Sequence, residues 1–75
     1  MKLTAAERRH LELLRDRGPW SRKRRGKLGS SWLRSYTGVH EPTLVYLSLR
    51  GLVSLIERPG FAEFTLTDAG WTALT

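Results

Sequence analysis

The stretch SRKRRGKLG, residues 21–29, most constrains this chain. It places Arg22, Lys23, Arg24, Arg25 and Lys27 within six positions, in the interior of a chain of 75 residues. Packed like charges with Gly18, Pro19, Gly26 and Gly29 around them oppose both a helix and a core strand. The reading that follows is a basic loop, with a few residues near Lys27 and Leu28 able to pair at a sheet edge. The chain carries 13 Lys and Arg against 7 Asp and Glu, a net charge of +6. Without the five cations of the run, eight remain against seven acids, so the excess is a local patch. Concentrated cations suit an anionic polymer, and nucleic acid is the first candidate.

The length allows one domain, residues 1–75, with a single modest core. Hydrophobic residues make up 40% and charged residues 27%, which fits a soluble globular chain. There is no cysteine, so disulfides and thiolate metal sites are excluded, and a reducing cytoplasm is expected. The opening MKLTAAERRH has charge but no apolar run behind it, unlike a signal peptide. No apolar stretch approaches the length of a membrane span.

Elements follow from local signals. LTAAERRHLELLRDRGP reads as a helix: Thr4 and Glu7 make a capping box, Leu11 and Leu14 face inward, and Gly18-Pro19 ends it. SSWLRSYTG reads as a short second helix capped by Ser30 or Ser31, with Trp32, Leu33 and Tyr36 as its apolar surface. EPTLVYLSLRG reads as a third helix, with Glu41 the last residue before it and Pro42 its first. LVSLIERPGFAEFTLT reads as a hairpin turning at Glu57-Arg58-Pro59-Gly60, with Ala62, Phe64 and Leu66 on its buried face. TDAGWTALT adds a short last helix capped by Thr67.

This order resembles a winged helix-turn-helix domain. The segments LRGLV and LTDAGWTAL are similar to the ends of MarR-like and PadR-like bacterial regulators, and the likeness covers about residues 30–75. It implies an α+β fold: a three-helix unit, a β-hairpin wing and a short C-terminal helix. It also implies a DNA-binding protein, with the third helix in the major groove and the basic loop and wing on phosphates. By position, His40, Glu41, Thr43, Tyr46 and Arg50 become the base-reading candidates. Arg58 in the wing and Arg34 on the second helix become phosphate contacts, beside Arg22, Lys23, Arg24, Arg25 and Lys27. A groove-reading helix usually carries several basic or amide side chains. Here the cation is Arg50 alone, and Glu41 stands at the end that should approach DNA.

The expected function is a small bacterial or phage transcriptional regulator or architectural binder of double-stranded DNA. A start at Met1 and the small size point toward a phage or mobile element. Dimerisation on a repeated site is compatible with this. The alternative is a winged-helix protein-interaction module whose third helix offers Val45, Tyr46 and Leu49 and whose basic loop contacts RNA or an acidic partner. Trp20 either stacks on nucleic acid or packs at the core edge, and Trp32 and Trp71 are expected in the core. His10 reads as a half-buried helix residue. His10 and His40 lack metal-ligand spacing, and Ser30-Ser31 lacks a base, so no metal, cofactor or enzymatic chemistry is expected.

Overall fold

Thr4 and Glu7 open the first helix as a reciprocal pair. The Glu7 N–H donates to Thr4 Oγ1 at 3.1 Å, and the Thr4 N–H donates back to Glu7 Oε1 at 2.8 Å. The helix, α1, runs Ala5–Arg17. Gly18 ends it at φ 86°, a left-handed conformation that residues with a Cβ rarely adopt. The computed structural model describes residues 2–25 and 31–75. After α1 come strand β1 (Trp20–Arg24), strand β2 (Trp32–Arg34), helix α2 (Glu41–Leu49), strands β3 (Val53–Arg58) and β4 (Phe61–Leu66), and helix α3 (Asp68–Ala73). The described residues form an α+β fold, with three helices and one four-stranded antiparallel sheet ordered β2-β1-β4-β3.

Two expectations fail between residues 20 and 38. The first part of the basic run is not a loop: Trp20–Arg24 is an interior strand paired with both β2 and β4. Lys27 and the expected pairing near Leu28 lie outside the described residues. The second helix is also absent, so the three-helix unit is not formed as expected. Trp32, Leu33 and Arg34 are a strand, followed by bends from Ser35 to Gly38. The spacing of Trp32, Leu33 and Tyr36 fits a helix, but short apolar runs leave helix and strand undecided. Here tertiary contacts decide. Tyr36 is buried, its hydroxyl donates to the Gly18 carbonyl at 2.9 Å, and its own carbonyl accepts the Trp20 indole N–H at 2.9 Å.

The remaining elements follow the sequence closely. α2 starts one residue earlier than expected, with His40 as its N-cap and Pro42 in its first turn. β3 and β4 are joined by Pro59-Gly60 alone, because Glu57 and Arg58 still pair with Ala62 and Phe61. Gly60 takes φ 76°, the left-handed geometry a tight Pro-Gly turn requires. Thr67 caps α3 by accepting the Gly70 N–H at 3.1 Å.

The core lies on one face of the sheet. Register and pleat put Trp20, Ala62, Phe64 and Val53 on that face. They are buried with Leu11 and Leu14 of α1, Leu44 and Leu47 of α2, and Leu52. Trp20 and Phe64 pair directly across strands with ring centroids 5.8 Å apart. Such a pair contributes about 0.5–1.5 kcal/mol beyond its burial. Trp20 is thus central to the core, not at its edge. Trp71 is the reverse: it was expected inside but is 48% exposed. α3 turns Gly70 and Ala73 toward the core, so Trp71 beside Gly70 projects elsewhere.

Gly70 shows why a glycine is needed there. A Cβ at this position would collide with the Leu52 carbonyl oxygen and lie 2.6 Å from Leu66 Cδ1. The backbone oxygen cannot move aside cheaply, because it also accepts the Thr67 N–H at 3.2 Å. Gly70→Ala is therefore expected to destabilise the fold by about 1–3 kcal/mol, the usual cost of overpacking. Urea unfolding checks this as a lower midpoint with an unchanged slope.

Candidate nucleic-acid interface

A strand separates neighbouring like charges, because successive side chains point to opposite faces. Arg22 and Arg24 share the helix-covered face with Trp20, and Lys23 takes the open one. Arg22 is then met by opposite charge. Its Nε lies 2.8 Å from both carboxylate oxygens of Glu41, and its Nη2 lies 3.7 Å from Glu57 Oε2. Its guanidinium also sits 4.5 Å from the Trp32 ring centroid, with Arg24 at 5.6 Å from the same ring. Cationic groups over an indole face are attracted by its quadrupole. Trp32 was expected in the core; it serves instead as a partly exposed platform for these two arginines. Arg34 stands directly opposite Arg22 across the strands. Like charges so placed repel, and the two carboxylates on Arg22 offset that cost.

The Arg22–Glu41 pair joins the sheet to the first turn of α2. A second tie comes from α1. The His40 N–H donates to His10 Nε2 at 3.0 Å, while His10 Nδ1 lies 2.8 Å from the Ala6 carbonyl oxygen. A carbonyl only accepts and a backbone N–H only donates, so these partners assign the proton to Nδ1. His10 is buried at 7% exposure. It works as a structural bridge, more enclosed than its sequence implied.

The base-reading candidates divide into two groups. Glu41 and Arg50 are occupied. Glu41 holds Arg22, and Arg50 Nη1 lies 3.1 Å from Glu7 Oε2 with its guanidinium 5.5 Å from the Tyr46 ring centroid. His40, Thr43 and Tyr46 remain on the surface. His40 Nδ1 lies 3.0 Å from Thr43 Oγ1, and Tyr46 is 51% exposed. These three, with Pro42, line an open cleft of about 290 Å³ against Thr4 and, from α1, Ala6 and Glu7.

The cations converge at one end of the sheet. Arg34 and Arg22 pair across β2 and β1, Arg24 pairs with Trp32, and Lys23 and Arg58 both pair with Phe61. Arg25 follows β1, its backbone N–H donating to the Ser31 carbonyl at 3.1 Å. Among the described residues, Lys23, Arg24, Arg25, Arg34 and Arg58 make no ion pair. The expected site residues thus occupy two faces: Arg22, Arg24 and Arg34 beside α2, and Lys23 and Arg58 on the open side. The residues that sequence reasoning missed are Trp32 and Phe61. Reading Arg22-Lys23-Arg24 as an alternating strand would have split the cations between two faces, but the pairing with Trp32 and Phe61 comes from a register between distant segments. Among the described residues no cluster of three potential metal ligands exists.

Glu7 links this site to acid stability. The Thr4 N–H, with Arg50 beside it, holds the Glu7 carboxyl below its ordinary range, against the opposing effect of burial. A carboxyl lowered in the folded state stabilises the fold above its ordinary pKa, and that contribution is lost as pH falls through the folded value. Stability should therefore fall on acidification below the usual carboxylate range. Glu7→Gln should flatten that fall, leaving the part due to Asp16, which Arg15 lowers. Thermal melts across pH check both. Comparison of the chain with known families, with curated proteins and with solved structures finds no match.

Proposed function

We propose that this protein binds double-stranded DNA, with the helix-covered side of the β1–β2 ribbon on phosphates and the start of α2 at the groove. The observation that carries this reading is the Arg22–Glu41 pair. It holds the N-terminal turn of α2 against β1, which carries Arg24, runs into Arg25 and pairs with Arg34 of β2, so one ligand can meet cations and helix start together. It also neutralises Glu41, whose charge would otherwise repel phosphates. Phosphate contacts supply most of the affinity and set orientation, and base edges supply sequence preference. His40, Thr43 and Tyr46, which line the open cleft between the start of α2 and α1, are the residues left to read bases. The hairpin β3–β4 follows α2 directly, as a wing follows a recognition helix. The finer fold reading is a winged helix in which β2 stands where the second helix was expected. The role is that of a small regulator or architectural DNA binder.

A second reading has its own observation. α2 holds no Lys or Arg between Glu41 and Leu49, and Leu49 is 81% and Val45 37% exposed. An apolar helix face of this kind also suits a protein partner, including a second copy of the chain.

Salt titration of binding to a random-sequence duplex separates the readings. Three phosphates neutralised by Arg24, Arg25 and Arg34 give a slope of log affinity against log salt of about −2.7. The double variant Arg24→Gln, Arg34→Gln should reduce that magnitude by about 1.8. A wild-type slope near zero rejects the duplex reading. Weakened partner capture by Leu49→Ser with intact duplex binding favours the second.

A further inference from the structure

The side of the sheet turned away from the helices carries a site of its own. Register aligns Leu33, Lys23, Phe61 and Arg58 in one row across all four strands. Directly paired residues share a face, and the buried Ala62 marks the other face as the covered one. No helix covers this row among the described residues: Leu33 is 51% exposed, and Lys23 and Arg58 are both exposed. Half-buried Phe61 lies between the two cations, about one strand spacing, roughly 4.8 Å, from each. Ile56, in the next row of this face, is 46% exposed. The acid on that next row is Glu63, opposite Ser21 and Ile56. The row itself holds two cations and no acid.

We infer that this open face is a binding site for an unpaired DNA strand, with Phe61 stacking a base and Lys23 and Arg58 holding the phosphates on either side. The inference rests on the DNA-binding reading above but uses the opposite face of the sheet. A duplex buries its bases and presents phosphates, which Leu33, Phe61 and Ile56 cannot engage. An unpaired strand exposes base faces along with its phosphates, and an aromatic ring flanked by cations on an open sheet matches both. Lys23 and Arg58 carry positive charge without a carboxylate partner among the described residues, which complements a polyanion.

The test measures fluorescence anisotropy of labelled oligothymidine and of a labelled random-sequence duplex, for the wild-type chain, Phe61→Leu and Lys23→Gln. Phe61→Leu keeps apolar bulk and removes the π face. It should weaken oligothymidine binding by about 5- to 100-fold and leave duplex binding unchanged. Lys23 is exposed, so Lys23→Gln should fold normally whatever Phe61→Leu does. It should reduce the oligothymidine salt slope by about 0.7. Duplex binding without oligothymidine binding overturns this inference alone. Oligothymidine affinity unchanged in Phe61→Leu, with an unchanged slope in Lys23→Gln, also overturns it, as does an equal loss on both ligands. Binding of neither ligand removes the duplex reading and this one together.

Discussion

β1 has to be two things at once, and the rest of the molecule is arranged around that. Its first residue, Trp20, is among the largest fully buried side chains, and its last, Arg24, is exposed. Between them Arg22 bridges the two environments, 19% exposed and held by Glu41 and Glu57. Taking a guanidinium out of water is costly unless its donors are met. Here carboxylates meet them, and one of those carboxylates belongs to the first turn of α2. One ion pair therefore relieves charge crowding on the strand, opposes the Arg22–Arg34 repulsion, and positions the helix.

The placement of α2 is over-determined. His10 takes the N–H of its N-cap, Arg22 takes the carboxylate of its first residue, and Arg50 at its far end reaches Glu7 on α1. Its inward side is anchored by Leu44 and Leu47, both fully buried. The helix is thus held at both ends by polar ties and along its length by packing. Its outward side carries no charge of its own. The cationic side chains stand instead on the neighbouring strands β1 and β2.

Much of the fold was legible. The Thr4–Glu7 box, the Gly18-Pro19 stop, the Pro59-Gly60 turn, the alternation of Ala62, Phe64 and Leu66, and the Thr67 cap are all short-range signals. They act through neighbours within a turn or a strand repeat, so reading the chain locally recovers them. Residues 20–38 were illegible for the opposite reason. Arg22 becomes acceptable in a sheet only because Glu41 and Glu57 meet it from 19 and 35 positions away. Tyr36 is drawn inward by Gly18 and Trp20, and neither contact leaves a periodic trace. Of the candidate site, the cations were visible as residues but not as faces. Whether Arg22 or Lys23 sits beside α2 depends on a strand register that no local pattern supplies.

What the amino-acid order determined by itself is the location of excess charge, three of the four expected helices, the hairpin and most of the apolar core. These depend on covalent neighbours, backbone preferences and the removal of apolar surface from water. The tertiary structure alone decided that the cationic run is an interior strand, that Trp32 holds arginines while Trp71 faces solvent, and that Phe61 lies between Lys23 and Arg58. Those outcomes require partners distant in the chain, and bringing like charges into a sheet is favourable only once the distant carboxylates and rings are already in place.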